Sequence, residues 1–110
     1  MPNQHNMELY RLKAELCKTF ADPTRLIIIE ELRGGEKSVG EIVRLLELPQ
    51  AAVSRHLGAL RDRGVVQARR QGNTVFYSLT DVQIGAACDL VHKILINQME
   101  KNNRLLKSSK

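Results

Sequence analysis

The sequence lacks the features that mark several large protein classes. Its two cysteines, Cys17 and Cys88, lie far apart, and no CxC or CxxC pair exists. That spacing excludes a zinc-finger framework. In a reducing cytoplasm both residues rest as thiols. The longest uninterrupted apolar run is Leu26–Ile29, far short of a membrane span. Met1–Leu12 is polar and charged and carries no signal-peptide pattern, so a cytoplasmic location without a membrane partner is expected. There is no glycine-rich phosphate loop, and the cysteines and scattered histidines match no nucleophile motif. The expectation is therefore a non-enzyme without a cofactor. No internal repeat and no long linker divides the 110 residues, which predicts one domain over 1–110 with a frayed tail at 102–110.

What is present is ordinary in composition and uneven in charge. A 43% hydrophobic share with 26% charged residues fits a soluble globular chain, so disorder is expected only at the ends. The net charge is +5, and its distribution says more than its size. Between Ala51 and Thr80 stand Arg55, Arg61, Arg63, Arg69 and Arg70, against the single acid Asp62. Glu30–Glu47 is instead net acidic. A second basic group closes the chain at Lys101, Arg104, Lys107 and Lys110. One part of the molecule is selectively positive.

Periodicity orders the elements. Leu9, Leu12, Leu16 and Phe20 have helical spacing, with a second stripe at Tyr10, Ala14, Cys17 and Ala21. A helix with two apolar faces packs between two bodies, its own domain and a partner. Asp22-Pro23 caps and opens a second helix, which Gly34-Gly35 ends. Ser38-Val-Gly-Glu41 is a capping box for a third. Pro49 starts a fourth, with Val53, Leu57 and Leu60 on one face and Gly64 as its stop. Val65–Arg70 and Thr74–Leu79 flank Gln71-Gly72-Asn73, a hairpin signal. Thr80-Asp-Val-Gln83 predicts a second capping box, opening a last helix to about Lys101. The expected class is mainly α with a β-hairpin wing, in the order α-α-α-α-β-β-α.

A helix with an exposed polar face, followed by a basic hairpin, suits a major-groove recognition helix with a wing on DNA. Gln pairs well with adenine and Arg with guanine. The candidate DNA contacts are Gln50, Ala51, Ser54, Arg55, His56 and Arg61 on the helix, with Arg69, Arg70 and Asn73 on the wing. His56 has two readings, a phosphate contact or a locally packed histidine.

The element order and these residues resemble the ArsR/SmtB family of bacterial winged-helix repressors. The resemblance runs from about Leu16 to Leu95. It rests on Ala21-Asp-Pro-Thr-Arg25, on Val53-Ser-Arg-His-Leu57, and on Leu60, Gly64, Val66, Arg70, Gly72 and Tyr77 at their spacings. It implies a homodimer through the first and last helices, an inverted-repeat operator in double-stranded DNA, and repression relieved by an effector. The family's metal sites are not matched. Its third-helix cysteine pair is replaced by Ser38-Val39-Gly40, and its last-helix ligand set is approached only by Asp89 and His92. No metal is assigned. By analogy of position, Cys17 and Cys88 are the candidate sensors of an oxidant or reactive sulfur. The alternative for each is a small hydrophobe on an apolar stripe. Two other functional readings stand beside this one: a winged-helix protein-interaction module, and a metal- or metalloid-responsive repressor with an atypical site.

Overall fold

The computed structural model describes residues 6–108. Five helices and three strands follow in order: α1 (Met7–Thr19), α2 (Pro23–Leu32), β1 (Lys37–Ser38), α3 (Val39–Leu46), α4 (Gln50–Asp62), β2 (Val66–Gln71), β3 (Thr74–Leu79) and α5 (Gln83–Ser108). Among the described residues no helix is long and apolar enough to cross a membrane.

Local chemistry sets most of the boundaries. Asn6 and Asp22 cap α1 and α2 with their side chains, and Pro23 occupies the first turn of α2. The Ser38 hydroxyl accepts from the Glu41 amide at 3.1 Å, and the Glu41 carboxylate accepts from the Ser38 amide at 2.9 Å. This is the expected capping box, and the Ser38 amide holds the Glu41 carboxyl below its usual range. Gly64 ends α4 with φ 73°, a left-handed conformation that costs a residue with a Cβ.

Three expectations need correction. The capping box at Thr80-Asp-Val-Gln83 does not form. The Thr80 hydroxyl instead donates to the carbonyls of Gly64 and Val65, at 2.6 and 3.2 Å, and Asp81 accepts from the Gln83 amide at 2.8 Å. Thr80 thus ties the end of β3 to the end of α4. Helix α5 also runs on to Ser108, past the expected end near Lys101 and into the tail expected to fray; 109–110 lie outside the described residues. Finally, β1 has no counterpart in the expected order. It exists because β3 returns beside it, pairing Lys37 with Tyr77 and Ser38 with Phe76.

The sheet has the order β1-β3-β2, antiparallel throughout. Gln71 faces Thr74 across a two-residue turn. Gly72 has φ 63° and Asn73 does not share a positive φ, the signature of a type II′ hairpin turn.

The core sits where α2, α3 and α4 meet the base of the sheet. Ile28, Ile29 and Leu32 enter it from α2, Ile42 from α3, and Val53, Leu57 and Leu60 from α4. Val65, Val66 and Tyr77 close it from the hairpin. Burying each of these aliphatic side chains contributes ~1.5–3 kcal/mol relative to exposure. Helices α1 and α5 contribute little: among the described residues, only Phe20, at the end of α1, and Ile84 and Cys88, on α5, pack against this core. Other large apolar residues on these two helices are exposed, among them Leu9, Leu12, Leu16, Val91, Ile94 and Leu95.

Candidate nucleic-acid interface

Helix α4 buries one face and leaves the opposite one open. Val53, His56, Leu57 and Leu60 are inside. At ~100° per residue, the exposed side chains Gln50, Arg61, Ser54, Ala51, Asp62 and Arg55 follow one another round an arc of ~140°. Gly58 lies within that arc. The result is a shallow polar strip with small residues in its middle and arginines at its edges.

The start of this helix differs from the other three described above. Pro49 is its N-cap, and no side chain accepts from its first amides. Those N–H groups point out of the helix with the positive end of its dipole, so they can take an anion such as a phosphate.

The hairpin stands beside α4 and divides its side chains by strand alternation. Val66, Ala68 and Arg70 share one face of β2; Gln67, Arg69 and Gln71 share the other. Arg70 is exposed and makes no ion pair among the described residues, like Arg55 and Arg61 on α4.

Arg69 departs from the expectation of a free phosphate contact. Its Nε and Nη2 donate to the two Glu36 carboxylate oxygens at 2.9 and 2.7 Å, and its Nη1 donates to Gln71 at 2.8 Å. The guanidinium lies 4.9 Å from the centre of the Phe76 ring. The Arg69 guanidinium holds the Glu36 carboxyl below its usual range.

His56 fits the second of its two readings, a locally packed histidine. It is 8% exposed, and its Nδ1 accepts from Arg25 Nε at 3.3 Å. Arg25 Nη1 also donates to the Thr19 carbonyl at 3.3 Å. The histidine therefore joins α4 to α2 and the end of α1, and it does not face the exposed strip. Arg63 is exposed but engaged, pairing with Glu15 on α1.

The remaining candidates lie away from this surface. Cys17 is exposed on α1 and Cys88 half-buried on α5, and both are free thiols. Burial pushes the Cys88 thiol up, although the nearby Arg33 guanidinium pulls the other way. Asp89 is engaged by Arg33, which donates to both of its oxygens at 2.8 and 3.0 Å. Among the described residues no group of three or more metal-type ligands comes together. Sequence reasoning missed Glu36, Arg33 and the uncapped start of α4. Only the last had a signal, a proline where α1, α2 and α3 have Asn, Asp and Ser.

A helix pair α3–α4, packed with α2 and followed by a hairpin against the second of the pair, defines a winged helix-turn-helix DNA-binding protein. Comparison with known proteins agrees. Residues 22–68 match the family described as bacterial regulatory protein, arsR family, and the chain belongs to it. It is 41% identical over 93 residues to the transcriptional activator HlyU of Vibrio cholerae, covering 84% of this chain and 86% of that one. The crystal structure of Rv0081 of Mycobacterium tuberculosis superposes with a TM-score of 0.79 at 39% identity, covering 86% of this chain and 95% of that one. The solution structure of the homodimeric winged helix-turn-helix domain Mb0332 of Mycobacterium bovis gives 0.78 at 27% identity, with 91% and 94% covered. The chain is a transcriptional regulator of this family.

Proposed function

We propose that the protein acts in the cytoplasm as a homodimer that binds an inverted-repeat operator and represses transcription until an effector releases it. One observation carries the DNA reading. The exposed strip of α4 combines an uncapped start with Arg55 and Arg61, and Arg70 stands unpaired on the adjoining wing. Gln50, Ala51, Ser54 and Arg55 are the side chains that meet base edges. Arg61, Arg70 and Asn73 are the ones that meet the backbone or a minor groove. Repression needs only occupancy of promoter DNA. A relative named as an activator fits the same chemistry, since the direction of control follows from where the operator lies.

Dimerisation is supported by the apolar faces of α1 and α5 and by the homodimeric neighbour. Cys17 and Cys88 sit on those two helices, so an oxidant or reactive sulfur species that joined or modified them would change the separation of the two copies of α4. Cys17, the exposed thiol, is the first to react; Cys88 is slowed by its raised pKa.

Fluorescence anisotropy on the protein's own promoter tests this reading. A labelled inverted repeat should bind far more tightly than random duplex, with affinity falling steeply as salt rises. Arg55→Ala should change sequence preference more than the salt slope. A dimer that does not distinguish its promoter from random duplex would favour a protein-docking module instead. Cys17→Ser and Cys88→Ser variants that each keep the full response to oxidant and persulfide donor would exclude the thiol switch.

A further inference from the structure

We propose that Glu36 is a positioning residue that withholds Arg69 from DNA, leaving Arg70 as the cation through which this part of the wing engages the backbone. The inference rests on the DNA-binding reading above and concerns how strongly that surface holds phosphate.

Arg69 and Arg70 are adjacent in sequence and opposite in circumstance. Arg70 is unpaired among the described residues. Arg69 is bound on both of the edges that a guanidinium can present to a phosphate. The Nε–Nη2 edge is on the Glu36 carboxylate, Nη1 is on Gln71, and one face rests on Phe76. A bidentate carboxylate is the strongest competitor a protein side chain offers to a phosphate, because it matches the same fork.

Glu36 is well placed to keep this hold. It immediately precedes β1, and the pairing of Lys37 with Tyr77 and Ser38 with Phe76 fixes the chain beside the wing. Releasing Arg69 therefore means breaking two charge-assisted hydrogen bonds to a residue anchored next to the paired strand. The Arg69 guanidinium already reaches Gln71, next to the turn at Gly72-Asn73, so once released it has the length to meet a phosphate at the wing tip. While paired, Arg69 releases no counterion from DNA.

The test is a cycle of variants measured by anisotropy against salt, on the inverted repeat and on random duplex. Glu36→Gln keeps the size and removes the charge. It should raise affinity for both DNAs several-fold and steepen the salt slope by ~0.9, the value of one added phosphate contact. Arg69→Ala alone should leave the slope unchanged, because its charge is already neutralised. In the Glu36→Gln background, Arg69→Ala should return the slope to that of the parent protein. A Glu36→Gln protein with unchanged or weakened binding would overturn the proposal, as would a slope that falls with Arg69→Ala alone. Arg70→Ala separates the two layers. If it lowers the slope while the Glu36 variants behave as the parent, DNA binding stands and the withholding role fails. If the parent protein shows no salt-dependent DNA binding, the underlying reading fails.

Discussion

His56 has chemistry that suits a phosphate and a position that forbids one. Its neighbour in sequence, Arg55, is exposed, yet one residue further round α4 the side chain turns into the protein and accepts from Arg25. The same guanidinium also donates to the Thr19 carbonyl, so one half-buried arginine ties three helices together. Removing the imidazole leaves a small cavity and an Arg25 N–H without its acceptor. His56→Ala should therefore lower unfolding free energy by about 2 kcal/mol, read by urea titration. Operator affinity of the folded protein, measured in the cold where the variant is fully native, should stay close to that of the parent. A variant of parental stability that has lost DNA binding would return His56 to the contact surface.

At the scale of elements, two glycines serve α4 with opposite duties. Gly58 lies inside the helix, with no neighbour within 4 Å of where a Cβ would stand, and Gly64 ends it with φ 73°. Gly58→Ala should stabilise the protein by ~0.5–1 kcal/mol, because alanine loses less entropy in a helix. Gly64→Ala should destabilise it by ~1–2 kcal/mol, because a Cβ is forced into the left-handed region. Chemical denaturation of the pair decides this, and shifts of the same sign would contradict the assigned conformations. Gly64 was legible in the sequence as a stop, as were the helical stripes, the Asp22-Pro23 start and the Ser38–Glu41 box. Each of these is a short-range pattern whose chemistry is complete within a few residues. Thr80-Asp-Val-Gln83 has the same pattern and fails, because carbonyls at Gly64 and Val65 compete for the Thr80 hydroxyl. Strand β1 and the Glu36–Arg69 pair were not legible for a related reason. Their partners stand more than thirty residues away in sequence, and only the returning hairpin brings them together. Within the candidate interface, the exposed face of α4 followed from helical spacing. Which of its neighbouring cations were already engaged did not.

The whole molecule is too extended for its length. Its radius of gyration is 17.8 Å, against roughly 13 Å for a compact chain of this size. The excess comes from α1 and α5, which leave the body of the fold with apolar residues in water. Val91 and Leu95 lie one helical turn apart on α5 and are 65% and 51% exposed, outside the core of α2, α3 and α4. Arg33 fixes the start of α5 to α2 through Asp89, so this face is held in one place for a partner to cover. If a second copy covers it, two α4 helices are presented together, and linked binding exceeds that of a single module by ~10²–10⁴. The double variant Val91→Asp, Leu95→Asp places charge on that face without touching the core. Its molar mass by light scattering should fall to that of one chain, and its helical circular dichroism should persist. Operator affinity should drop by at least about 100-fold, while binding to an isolated half-site changes little. The parent protein should also show a thermal midpoint that rises with its concentration, and the variant should not. A variant that stays dimeric, or a monomer that holds the full operator as tightly as the parent, would place the pairing surface elsewhere.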